Sequence, residues 1–118
     1  MNKIKALKPS LRENKRYLAF EILSDVKIKD FSQVRDSLQD ALTGYVGAQG
    51  SSQAGIIVLK ERYDNKKQRG IIRVNHNHVD ELKASLCFIE NIDGNKVIVK
   101  SLGVSGILKK SQEKYLAN

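Results

Sequence analysis

Tyr17-Leu-Ala-Phe-Glu-Ile-Leu-Ser24 sets Leu18, Phe20 and Ile22 at every second position, with Glu21 between them on the other face. That is the period of a half-buried strand. A few residues on, the period changes. In Asp30-Phe-Ser-Gln-Val-Arg-Asp-Ser-Leu-Gln-Asp-Ala-Leu-Thr-Gly-Tyr45, residues Phe31, Val34, Leu38, Ala41, Leu42 and Tyr45 recur at helical spacing. Arg35, Asp36, Gln39 and Asp40 fall largely off that stripe. Asp30 with Gln33 three residues later is a variant of the capping box and predicts the helix start. Gly44 and Gly47 predict its end, and Gly50-Ser51-Ser52 a loop.

Downstream, Ile56-Ile57-Val58-Leu59, extended by Lys60-Glu61-Arg62-Tyr63, reads as a second strand. Asp64-Asn65-Lys66-Lys67 is a turn, and Gly70-Ile71-Ile72-Arg73-Val74 returns as a third strand, so the hairpin has a basic tip. Asn77 is placed to cap a second helix carrying Val79, Leu82, Leu86 and Ile89, with Cys87 beside the core stripe. Asp93-Gly94-Asn95 turns the chain into a fourth strand, Lys96 to Leu102. A last helix runs from about Ile107 to Leu116, with Ile107, Leu108 and Tyr115 on one side.

Strand, helix, strand, strand, helix, strand is the split βαβ order. It predicts an α+β, ferredoxin-like (RRM-like) domain: a four-stranded antiparallel sheet with its helices on one face and extensions at both ends. The first and third strands belong together at the centre. Residues 1–16 form a basic N-terminal arm, and residues 17–118 a single domain with a basic C-terminal helix.

A chain of 118 residues is one domain's worth. Its formal charge of +8 is unevenly spread. Residues 1–16 carry six basic groups against Glu13, and residues 101–118 carry three against Glu113. The 84 residues between them hold 12 basic and 11 acidic groups. Basic ends on a neutral body suggest a polyanion partner; solvated tails are the alternative. No stretch has the length of a membrane span, the start lacks the apolar core of a signal peptide, and one cysteine excludes an internal disulfide framework. A soluble, cytoplasmic protein is expected.

Catalytic patterns are missing. His76 and His78 would share a strand face, but two histidines do not hold a catalytic metal. Asp36 and Asp40 lie on the solvated side of a helix. No phosphate-binding glycine loop of P-loop or dinucleotide type occurs. Arg69-Gly70 matches the opening of the common RNA-recognition signature, but no aromatic follows on that strand to stack a base. Phosphate-led RNA binding stays open. Glu21 and Arg73 are expected on the helix-free face, as a cross-strand ion pair or as part of a docking face for RNA or a partner subunit. Gly103-Val-Ser-Gly106, between a strand and a basic helix, is either a plain turn or an anion site built from backbone N–H groups and Ser105.

Three blocks carry a family resemblance. They are Lys8-Pro-Ser-Leu-Arg12 with Arg16-Tyr-Leu-Ala-Phe-Glu21, Gly70-Ile-Ile-Arg-Val74 with Val79 and Leu82, and Ser101-Leu-Gly-Val-Ser-Gly-Ile-Leu-Lys-Lys110. Together they resemble the ribonuclease P protein component 2 family over roughly residues 8–116. The archaeal form is favoured, since no long acidic C-terminal tail follows. The segment from Ala48 to Ala54 matches no pattern of the family.

The resemblance implies an RRM-like fold and a place in the ribonucleoprotein that removes the 5′ leader from precursor tRNA. It implies that the RNA carries the metal-dependent hydrolysis, so this chain supplies no catalytic residue, metal site or cofactor, and the holoenzyme's Mg2+ is held by RNA. It implies as partners ribonuclease P RNA, precursor tRNA, other ribonuclease P proteins and ribonuclease P protein component 3, the last in a two-plus-two heterotetramer, with no membrane partner. The candidate RNA-binding residues are Lys8, Arg12, Lys15, Arg16, Arg73, Gly103, Ser105, Gly106, Lys109 and Lys110. A basic protein–protein adaptor of ferredoxin-like fold with no RNA role is the alternative.

Overall fold

The computed structural model describes residues 14–116. The elements, in chain order, are β1 (Lys15–Ser24), α1 (Phe31–Ala54), β2 (Ile57–Val58), a 3-10 turn (Lys60–Arg62), β3 (Arg69–Asn75), a second 3-10 turn (His76–His78), α2 (Val79–Leu86), β4 (Asn91–Ile92), β5 (Asn95–Ser105) and α3 (Leu108–Ser111). A π-helical turn, Gln112–Leu116, continues α3. Among the described residues the strands form an antiparallel α+β sheet in the order β2-β3-β1-β5-β4. β1 lies at the centre beside β3, as expected. The sheet has five strands rather than four, because β4 pairs Asn91 and Ile92 with the start of β5. The expected second strand shrinks to Ile57 and Val58, after which the chain coils into the 3-10 turn.

The alternation in β1 places Leu18, Phe20 and Ile22 in the main core, with Val34, Leu38 and Leu42 of α1 and Leu82 and Leu86 of α2. Fully burying one such side chain stabilises the fold by about 1.5–3 kcal/mol. Asp30 caps α1 as predicted, but through Ser32, whose backbone N–H donates to Asp30 Oδ1 at 2.9 Å. The helix does not end at Gly44 or Gly47. Gly47, at φ 82° and ψ 171°, breaks the helical path, and a further segment carries on to Ala54. The loop expected at Gly50-Ser51-Ser52 is therefore helical, with Ser51 buried and bonded by Gln39 Nε2 at 2.8 Å. His78, not Asn77, occupies the N-cap position of α2, without a side-chain hydrogen bond to the helix start, and Cys87 is exposed.

Helices do not keep to one face of the sheet. The odd-numbered residues of β1 and β3 face a second, smaller core in which Ala19 and Ile71 meet Leu116, Leu108 and Tyr115. The C-terminal helix thus covers part of the face expected to be open. A bulge in β5 leaves Leu102 without a partner between Phe20↔Ser101 and Ala19↔Gly103. Leu102 keeps the phase of Ile98 and Lys100 and so reaches the second core, while the extra residue sets Gly103 opposite Ala19 on that same face and returns Val104 to the main core.

Candidate nucleic-acid interface

The start of β1 and the end of β5 come together, since Tyr17 lies opposite Ser105. Lys15 Nζ donates to Asn75 Oδ1, and Asn75 Nδ2 donates to the Gln53 carbonyl at 2.6 Å. Lys15 is thereby tied to the last turn of α1. Arg16 Nη1 donates to the Lys15 carbonyl at 3.0 Å, and a side chain added at Gly106 would come within 3.8 Å of the same guanidinium nitrogen. Lys15, Arg16, Ser105 and Gly106 thus form one basic corner. The Ser105 hydroxyl closes its own turn, accepting from the Ile107 N–H at 3.1 Å.

Lys109 and Lys110 are exposed on α3, whose neighbours Leu108 and Ser111 face the sheet. Gly103 lies inside β5 rather than in the loop before the helix. A Cβ there would fall 2.2 Å from the Tyr115 ring, so the glycine is what lets that ring lie on the strand. Arg73 does not meet Glu21. Its register partners are Tyr17 and Ile57, and its buried Nε has no hydrogen-bond partner among the described residues. Glu21 instead accepts from Arg69 Nε at 3.2 Å. Lys8 and Arg12 lie outside the described residues.

His76 and His78 sit on a 3-10 turn, where His78 Nδ1 lies 2.7 Å from Glu81 Oε1. Among the described residues no three His, Cys, Asp or Glu side chains gather as a metal would require, and no helix is long and apolar enough to cross a membrane.

The nearly neutral middle of the chain is not neutral on each face. The stretches that build α1, α2 and the loop after α2 (31–54 and 79–93) hold Arg35 and Lys83 against six carboxylates. The rest of residues 17–100 holds ten basic groups against five acidic. No periodicity shows this, because it depends on which segments share a face. One local sign exists in the basic hairpin tip. There the Asp64 carboxylate accepts the N–H groups of Lys67 and Lys66, at 3.1 and 2.8 Å, which hold its pKa below the ordinary value.

The chain is similar to known proteins over nearly its whole length. Residues 16–116 match the model of the Rpp14/Pop5 family. Ribonuclease P protein component 2 of Thermococcus kodakarensis is 37% identical, over 98% of this chain and 93% of that protein. Its counterpart from Pyrococcus furiosus is 36% identical, over 96% and 92%. That of Methanocaldococcus jannaschii is 38% identical, over 96% and 81%. A chain in the cryo-EM structure of yeast ribonuclease MRP superposes with a TM-score of 0.63 at 24% identity, over 84% of this chain and 78% of that one, and shows the same fold.

Proposed function

The chain belongs to the Rpp14/Pop5 family, and from that premise we propose that it is a protein subunit of ribonuclease P, acting in removal of the 5′ leader from precursor tRNA. The observation that carries this reading is the near-full-length likeness to ribonuclease P protein component 2 of several archaea. The subunit binds and supports the catalytic RNA. Phosphodiester hydrolysis and its Mg2+ belong to the RNA, and this chain contributes no catalytic side chain or cofactor. Ribonuclease P protein component 3 is its direct partner, in a two-plus-two heterotetramer that joins other ribonuclease P proteins in the cytoplasm.

The basic corner supports the RNA role. Lys15 and Arg16 with Ser105 and Gly106, next to Lys109 and Lys110 on α3, put cations where a phosphate backbone can run along one end of the sheet. Lys8 and Arg12 extend that contact. Arg73 is the weakest candidate, since it is half-buried beneath this surface.

Reconstitution tests the reading. Precursor tRNA is incubated with ribonuclease P RNA at limiting magnesium, with and without this chain and component 3. Cleavage is expected to rise when both proteins are present. Equal cleavage without this chain would overturn the assignment.

A further inference from the structure

A second cationic site lies at the opposite end of the sheet. Gln68 is 3% exposed and ties three segments together there. Its Nε2 donates to the Ile22 carbonyl and to Ser24 Oγ, both at 3.0 Å, and its Oε1 accepts from the Ile28 N–H at 2.7 Å. The clasp fixes the 64–68 turn against the end of β1 and the loop that follows. It sets Lys27 across that turn, where Lys27 Nζ donates to the Lys66 carbonyl.

Lys27, Lys67 and Lys96 line one depression of about 510 Å³. Leu23 and Ile98, opposed in register and 42% and 62% exposed, belong to its wall. Lys100 lies opposite Glu21, two residues along β5 from Ile98. The acidic groups lining the depression are Glu21, engaged by Arg69, and Asp25.

We infer that this lysine-rimmed depression binds a second stretch of RNA phosphate backbone. It is separated from the basic corner by the length of β1, ten residues or about 30 Å at ~3.3 Å per residue. Three observations favour RNA over a protein. The cations outnumber the carboxylates around the depression. Its apolar part is aliphatic, with no ring to stack a base, so phosphate is the recognised group. α1 and α2, on the far face of the sheet, carry Asp36, Asp40, Asp80 and Glu81 against Arg35 and Lys83, a net negative charge that disfavours RNA on that side.

This inference rests on the proposed RNA role, and its test separates the two. Binding of the full-length chain to ribonuclease P RNA is measured by filter retention over a range of salt. The triple variant Lys27→Gln, Lys96→Gln, Lys100→Gln is expected to reduce the slope of log K against log salt by about 2–3, at ~0.7–0.9 per phosphate contact, with an unchanged urea midpoint. The control Arg35→Gln, Lys83→Gln removes positive charge from the helical face and is expected to leave the slope unchanged. A wild-type slope in the triple variant, or equal losses in the triple variant and the control, would overturn the second site alone. Absence of RNA binding by the wild-type chain would overturn the RNA role itself. An unchanged slope with loss of a copurifying protein partner would assign the depression to protein docking and likewise overturn the inference.

Discussion

Gln68 holds a positive φ of 54° without being glycine, a conformation that costs energy unless its surroundings over-determine it. Its three side-chain hydrogen bonds do so. Gln68→Ala would leave the Ile28 N–H and the Ile22 carbonyl without that partner, and a cost of about 2–4 kcal/mol is expected in urea denaturation. Nothing in the local pattern marks Gln68, because its partners lie 40 to 46 residues away in the chain.

Tyr63 shows a different residue-scale effect. Its ring packs against Phe20 and Phe31, and its buried hydroxyl has no hydrogen-bond partner among the described residues. Burial first, and the Asp64 charge second, raise its pKa from 10.0 to about 12. The folded state thus keeps the proton that the unfolded chain releases near pH 10. This contribution to stability is complete below pH 10 and is lost as pH rises toward 12. In Tyr63→Phe that alkaline loss should be smaller, and stability at pH 7 should not fall, since an unpaired hydroxyl leaves the interior. A larger alkaline loss in the variant than in the wild type would contradict this account.

At the scale of elements, the C-terminal helix depends on Gly103. The Tyr115 ring lies where a Cβ would be, so Gly103→Ala must displace that ring from the strand and loosen the packing of the C-terminal turn on the sheet. The expected cost is about 1–3 kcal/mol, of the size seen for overpacking. In a Tyr115→Ala background the same substitution should cost far less, and a double-mutant cycle reads the difference as coupling. Equal costs in both backgrounds would show that the ring does not set this requirement. The glycine was legible in the sequence, but as a candidate anion site. Its packing role needed the strand, the bulge and the helix to be placed together.

Helix α1 teaches the same lesson from its own residues. The stripe Val34, Leu38, Leu42 and the cap at Asp30 follow from local spacing. Gly47 does break the helical path, yet the chain resumes because Ala54 and Ser51 find buried positions beyond the break. A glycine signals where a helix is able to stop; tertiary burial decides whether it does.

Across the whole molecule, charge separates into faces. The basic corner and the lysine-rimmed depression are at opposite ends of β1, so their contributions to RNA binding should be independent. Combining Lys15→Gln and Arg16→Gln with the Lys27, Lys96, Lys100 triple should lower the salt slope by the sum of the two separate losses, about 4 in all at ~0.7–0.9 per phosphate contact. Filter binding of the three variants side by side measures it. A combined loss no greater than either part would mean that one strand of RNA engages both sets as a single site.

By itself the sequence determined the local elements and the family. Alternation from Leu18 to Ile22, the helical stripe after Asp30, and the three blocks around Arg16, Gly70 and Gly103 depend on neighbours a few residues apart. The tertiary structure alone decided that a fifth strand closes on β5 and that the C-terminal helix covers part of the face opposite α1. It also decided that Glu21 pairs with Arg69 rather than Arg73, and that scattered lysines share one end of the sheet. Each of these depends on register and on contacts between residues distant in the chain, which local periodicity does not carry.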